Sequence, residues 1–399
     1  MDRSFRLRIA ASLADLDAAS RRRSLTVTAP EGGSVREVTR NGQRLINFSS
    51  NDYLGLSHHP ALAEAAARAA MEFGTGATAS RLVCGTLPLH DALETRLATL
   101  KGCGAALVMA GGFATNASVL AALLDADIAG KTPLVFLDRL AHASMHDGVM
   151  AAGVRQLRFH HNDLAHLESL LIRHADAPGP RLIVTESVFS MDGDRADLPG
   201  LCALAEKYGA ELYVDEAHAT GVLGPQGAGL CADPAVKGRV GMVMGTFGKA
   251  LGGYGAFIAC DTVLRDWLVT KARGFIYATA LPPPVLAAVL AALDLIPGMD
   301  RARQRLARHG DTVRTALRGL GIDTLASDTQ IIPAVIGAEA DTLAAARFME
   351  DRGLLTVAIR PPTVPPGSGR LRLALSSDHT DEDIAALTDA FTAFARAGA

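Results

Sequence analysis

Between residues 100 and 260, short apolar runs alternate with stretches of helical period. The runs cover 105–110, 133–138, 154–160, 181–187, 211–217, 242–247 and 255–260. Most are apolar nearly throughout, with little of the alternation in polarity shown by a strand that has one face in water. Helical patterns at 115–124, 163–173 and 197–208 lie between several of them. The alternation predicts an α/β domain with a mostly parallel seven-stranded sheet covered on both faces. Leu281-Pro282-Pro283-Pro284 interrupts it. An Ala/Leu-rich helix follows to about 296, then a second helical run from 301 to about 319. The stretches at 329–337, 354–360 and 370–376 read as strands of a small α+β unit. The pattern thus divides the chain into an N-terminal arm at 1–50, a large α/β domain at 51–285 and a small C-terminal domain at 286–399.

Composition narrows the class. The chain has 399 residues, 49% of them hydrophobic, which is enough for more than one core. Formal net charge is −3, and no basic stripe points to nucleic acid. The cysteines at 84, 103, 202, 231 and 260 form no CxxC pair, so neither a disulfide framework nor a structural metal is expected. The first twenty residues mix both charge signs, and no stretch of about 18 residues is apolar enough for a membrane span. The expectation is a cytoplasmic protein with no nucleic-acid or membrane partner.

The chemistry-bearing residues fall where strands end, which is where open α/β sheets gather their functional groups. Ala110-Gly111-Gly112-Phe113 follows the first run and opens a helix. Glycines at such a turn can bring backbone N–H groups onto a phosphate, or can simply make a tight turn. His142 follows the second run and Ser190 the fourth. Alone, each reads as a structural hydrogen-bonding group. Asp215 lies near the end of the fifth run, in Tyr213-Val214-Asp215-Glu216-Ala217-His218. The letters DEAH also occur in helicases, but no GxxxxGK[ST] loop accompanies them here. Thr246 lies at the end of the sixth run and Lys249 just after it, in the glycine-rich stretch MGTFGKALGGYGAF.

Together these residues match the needs of pyridoxal 5′-phosphate. Its phosphate needs an anion cradle, its pyridine nitrogen a carboxylate, and its aldehyde a lysine for a Schiff base. That chemistry explains a lysine among glycines and apolar residues.

The sequence resembles the α-oxoamine synthases, a family of fold type I pyridoxal-phosphate transferases. The resemblance rests on SNDYLGL (50–56), GGF (111–113), TESVFSMDGD (185–194), YVDEAHATGVLG (213–224) and TFGKALG (246–252). These enzymes join an amino acid to an acyl thioester with loss of CO2. The resemblance implies a Schiff base at Lys249, Asp215 on the pyridine nitrogen and His218 on the phenolic oxygen. It implies that His142 stacks on the ring and that Gly112, Phe113 and Thr246 hold the phosphate region. Ser190 would lie beside the cofactor, and Thr279 would reach the phosphate of a neighbouring subunit in a homodimer. Ala278 departs from the family's more usual serine. Arg372 and Asn51 would meet the amino acid, and Arg21 and Thr363 the acyl substrate. A freed Lys249 in an apolar site would fall below the ordinary lysine pKa of about 10.4 and serve as base. The Arg21-Arg22-Arg23 arm, NFSSNDYLGLSHHP (47–60) and IRPPTVPPGSGRLRLALS (359–376) are most similar to the member that uses L-alanine. Its acyl donor is a pimeloyl thioester, as pimeloyl-CoA or pimeloyl-acyl carrier protein. The alternative is a sister synthase using glycine or serine with another acyl group. A non-catalytic relative would be expected to have lost Lys249 or Asp215.

Overall fold

The computed structural model describes residues 3–130 and 132–397. It divides into two compact units, one of residues 52–190 and 195–304, the other of residues 1–51, 191–194 and 305–399.

The larger unit is built on one seven-stranded sheet. Its strands are β1 (Ala105–Met109), β2 (Leu134–Asp138), β3 (Gln156–Phe159), β4 (Arg181–Glu186), β5 (Ala210–Asp215), β6 (Met242–Thr246) and β7 (Ala256–Cys260). Their order across the sheet is β1-β7-β6-β5-β4-β2-β3. The pairs β2–β3, β2–β4, β4–β5 and β5–β6 are parallel, and β7 alone runs antiparallel to its neighbours β1 and β6. All seven predicted strands are therefore in one sheet.

Their continuous apolar character has a direct cause. Successive side chains point to opposite faces. Val135 and Leu137 enter one core while Phe136 enters the other; Leu182 and Val184 oppose Ile183; Met242 and Met244 oppose Val243. Helices Gly112–Leu123 and Ala143–Ala151 supply residues to the first core, and Leu164–Arg173 and Leu198–Tyr208 to the second. Each such aliphatic side chain contributes roughly 1.5–3 kcal/mol when fully buried. Helix Pro283–Leu295 packs on helix Pro60–Phe73, which keeps it in the larger unit, and the unit boundary at 304/305 falls within helix Asp300–Gly319.

The smaller unit contains two sheets. Strands Thr28–Glu31, Ser34–Arg40 and Gln43–Asn47 form an antiparallel meander, which Leu354–Leu355 joins in parallel to Gln43–Asn47. That pairing holds residues 28–47 in the same unit as the C-terminal residues. Strand Gly369–Ala374 is central in the second sheet, between Ile331–Gly337 and Val357–Ile359. No helix among the described residues is long and apolar enough to cross a membrane.

Candidate active site

Because β2, β4, β5 and β6 run parallel, their last residues share one edge of the sheet. Glu186 ends β4, Asp215 ends β5 and Thr246 ends β6, and Glu186 is the register partner of Asp215. A cavity of about 330 Å³ opens there, within the size range of small-molecule sites. Its lining includes Gly112, Phe113, His142, Asp215, His218, Thr246 and Lys249. The structure thus brings together seven residues that the sequence singles out separately. Ser190 and Thr279 are not among the lining residues. Ser190 is buried, and its N–H donates to Glu186 Oε2 at 3.2 Å. Thr279 pairs with Ser80 in an isolated bridge and lines a small recess with Arg81 and His90.

The positions follow from local chain physics. Gly111 precedes helix Gly112–Leu123, and no side chain caps that helix. Its first-turn N–H groups therefore have no partner within the helix. A Cβ on Gly112 would lie 2.7 Å from Thr246 Cγ2 and 3.3 Å from Met244 Cε, so only glycine lets these elements approach. Thr246 Oγ1 is buried and has no hydrogen-bond partner among the described residues. A buried hydroxyl left unsatisfied is costly unless a ligand completes it.

Lys249 is half-buried, and its Nζ lies 2.8 Å from His218 Nε2. His218 Nδ1 lies 2.7 Å from the hydroxyl of Tyr53. Asp215 Oδ1 accepts from the N–H of Ala217 at 2.8 Å, and Oδ2 from Asn116 Nδ2 at 2.8 Å. His142 caps helix Ala143–Ala151, its Nδ1 accepting from Ser144 N at 3.3 Å. Burial pushes its imidazole below the ordinary histidine value, against an upward pull from Asp215. Phe113 stands edge-on to its ring at 6.4 Å. Glu186 is fully buried, and burial together with the Asp215 charge pushes its carboxyl well above the usual range.

Pyridoxal phosphate fits these residues. An uncapped helix N-terminus, the Gly112 approach and the Thr246 hydroxyl, unpartnered among the described residues, are groups that could hold its phosphate. Asp215 offers an acceptor for a protonated pyridine nitrogen, and Lys249 is the only lysine among the lining residues.

The remaining candidates belong to the smaller unit. Arg372 is buried on strand Gly369–Ala374 and donates to Asn51 Oδ1 at 3.1 Å. Arg21 donates to Glu339 Oε1 through Nη2 at 2.7 Å and Nε at 3.2 Å. Thr363 accepts from Arg23 at 2.9 Å. Sequence reasoning did not single out Glu186, Asn116, Ser144, Tyr53 or Tyr254. Glu186 carried one usable signal, an acidic residue ending an apolar strand.

The comparisons agree with this geometry. Residues 43–391 match the aminotransferase class I and II family. The chain is 53% identical to the 8-amino-7-oxononanoate synthase of Gluconacetobacter diazotrophicus, over 95% of this chain and 96% of the relative. It is 47% identical to the protein of the same name from Geobacter sulfurreducens, over 94% of each. Its fold superimposes on a serine palmitoyltransferase from S. paucimobilis, solved with a PLP–myriocin aldimine, at TM-score 0.91 and 28% identity. That match covers 100% of this chain and 99% of the other. The chain belongs to the pyridoxal-phosphate enzymes of the aminotransferase class I and II family, within the 8-amino-7-oxononanoate synthases.

Proposed function

We propose that the protein condenses L-alanine with a pimeloyl thioester, releasing CO2 and the free thiol carrier and forming 8-amino-7-oxononanoate, a step of biotin biosynthesis. The observation that carries this reading is the single cavity that gathers Lys249, Asp215, His142, His218 and a phosphate cradle. The amino-acid and acyl partners come from the relatives' names and from the 21–23, 47–60 and 359–376 stretches. Serine palmitoyltransferase, a sister enzyme, shares the fold at a lower identity of 28%.

When bound, pyridoxal phosphate supplies an aldehyde for an amine and a protonated ring that takes up electron density from the amino acid's α-carbon. The chain's residues do the rest. The uncapped helix and Thr246 hydroxyl hold the phosphate, and Asp215 keeps the ring nitrogen protonated by accepting its hydrogen bond. Lys249 Nζ takes the α-proton and later returns one. A neutral His218 carries one ring proton, so the Tyr53–His218–Lys249 chain has two orderings. With the lysine as ammonium, Nε2 accepts and Nδ1–H donates to Tyr53. With the lysine as free amine, Nε2–H donates to Nζ and the Tyr53 hydroxyl donates to Nδ1. The chain can thus follow the lysine's proton in either state. Arg372, fixed by Asn51, binds the amino acid carboxylate as a charge-assisted pair. Arg21, braced by Glu339, and Thr363 bind the acyl substrate.

The working form is a homodimer. Phe113 and Tyr254 at the cavity and Leu82, Val83 and Tyr277 of the same unit are all large apolar or aromatic residues more than half exposed, and a second copy would cover them. A monomer by light scattering would contradict this. The free cysteines fit a cytoplasmic setting.

The function is tested with L-[1-¹³C]alanine and pimeloyl-CoA or pimeloyl-acyl carrier protein. Release of labelled CO2 with formation of the nine-carbon amino ketone supports the reading. Neither product from either donor overturns it.

A further inference from the structure

Two groups that face the cavity, Asp215 and His142, are joined along its wall by a buried hydrogen-bond chain. Asn116 is 1% exposed on helix Gly112–Leu123, and Ser144 is fully buried on helix Ala143–Ala151. Asn116 Nδ2 lies 2.8 Å from Asp215 Oδ2 and 3.0 Å from Ser144 Oγ. The hydroxyl of Tyr213 donates to Asn116 Oδ1 at 2.6 Å. Ser144 Oγ lies 2.8 Å from His142 Nδ1.

The direction of each bond follows from donor and acceptor chemistry. A carboxylate only accepts, so the Asn116 NH2 faces Asp215. Its second N–H points to Ser144 Oγ. Tyr213 supplies the donor for Oδ1, and burial holds its phenol well above the ordinary value, so it keeps its proton. Ser144 Oγ, accepting from Asn116, still has its own proton to give to His142 Nδ1. The backbone N–H of Ser144 also points at that nitrogen. His142 Nδ1 therefore receives two donors, and the proton of the neutral ring sits on Nε2. An Nδ1–H would face the backbone N–H of Ser144, which cannot turn away or accept.

We propose that Asn116 and Ser144 are positioning residues that fix one orientation of the Asp215 carboxylate and one tautomer of His142, with Nδ1 accepting and Nε2–H free to meet ligand in the cavity. The proposal rests on the reading of that cavity as the amino-acid and cofactor site. Asp215 and Asp147 favour a protonated His142, whereas Lys249 and His146 oppose it, and burial is the largest influence. Ser144 adds a directional constraint that these charges do not provide. It tells the two nitrogens of the ring apart.

The tautomer is readable without turnover. ¹⁵N-histidine NMR of the holoenzyme, with His142 assigned by its loss in His142→Asn, reports which ring nitrogen carries the proton. The wild type is expected to show Nε2–H from about pH 7 to pH 9. Ser144→Ala is expected to mix in Nδ1–H and to raise the pH at which the ring protonates, and Ser144→Thr to restore the wild-type pattern. In steady-state assays, Ser144→Ala is expected to lower kcat about tenfold with little change in the amino acid KM, and to move the acid limb upward. Asn116→Ser, which shortens the link to Asp215, should move the same signals. An Nδ1–H tautomer in the wild type would overturn the proposal, as would a Ser144→Ala enzyme with unchanged tautomer and acid limb. If no acyl donor gives product, the functional reading fails while the NMR result still decides the tautomer.

Discussion

Lys249 and His218 lie on different loops, yet Nζ and Nε2 are 2.8 Å apart, and His218 is itself tied to Tyr53 at 2.7 Å. The lysine's amine is thus held at a defined point in the cavity by a ring that can donate or accept. Borohydride reduction of the holoenzyme followed by peptide mass mapping should place the cofactor on the peptide carrying Lys249. Lys249→Ala should fold, give no adduct and lose turnover. A reduced adduct on another lysine would place the reaction elsewhere.

The segment after Asp215 is anchored by a second, fully buried lysine. Lys101 Nζ uses all three donors, on Glu216 Oε2 at 2.7 Å, Thr220 Oγ1 at 2.8 Å and the Ala228 carbonyl at 2.7 Å. Glu216 Oε1 accepts from Cys231 N at 2.8 Å. Breaking a buried pair from one side leaves an uncompensated charge and costs about 3–5 kcal/mol. Lys101→Met should lower stability by that amount in denaturant titrations. Lys101→Met combined with Glu216→Gln should recover much of it, because the amide can still accept from Cys231 and no charge is stranded. A single variant within about 0.5 kcal/mol of wild type would show that the pair is not a net constraint.

Acid should weaken the fold in a defined window. His379 Nδ1 accepts from Ser376 N at 3.0 Å, Nε2 meets the Asn47 carbonyl at 3.1 Å, and the ring stacks on Phe48 at 4.3 Å. Burial pushes its pKa from 6.5 down to about 4; the Asn47 carbonyl and Asp383 oppose this, and His309 and Arg36 add to it. The native ring is neutral while the unfolded one takes a proton first, so stability is full above about pH 6.5. It is lost as pH falls from there toward about 4. A shift of this size corresponds to about 3 kcal/mol. His379→Gln should flatten the loss of melting temperature between about pH 7 and pH 4.5. An equal acid slope in wild type and variant would assign the loss to other groups, among them His90, which burial also pushes to about 4.

The sequence showed the sheet clearly and the wiring behind it poorly. Leu182-Ile183-Val184 reads as a strand because both of its faces are buried, and a buried parallel strand has no polar alternation to hide it. Strand Gln156–Phe159 is shorter than the predicted 154–160, as the polar flanks give periodicity little to fix a boundary. Asn116 and Ser144 looked like ordinary polar residues near helix starts. Their role depends on helices Gly112–Leu123 and Ala143–Ala151 packing side by side, which no local pattern encodes. The Asn51–Arg372 bond spans 321 positions and is equally invisible to periodicity. The three strands within residues 28–47 escaped notice because they are short and largely polar, and their fourth partner is Leu354–Leu355.

Substrate choice is the central claim, and one measurement addresses it most directly: kcat/KM for L-alanine, glycine and L-serine, each with pimeloyl, acetyl, succinyl and palmitoyl thioesters. Pimeloyl ends in a carboxylate beyond an apolar chain, and three arginines of one unit are each held by a partner, Arg21 by Glu339, Arg23 by Thr363 and Arg360 by the Ser20 carbonyl. A methyl group separates alanine from glycine by only about 1–3 kcal/mol, so residual glycine turnover is expected. The account predicts that L-alanine with pimeloyl thioester has the highest kcat/KM of all pairs. A higher value for glycine with acetyl or succinyl thioester, or for serine with palmitoyl thioester, would contradict it.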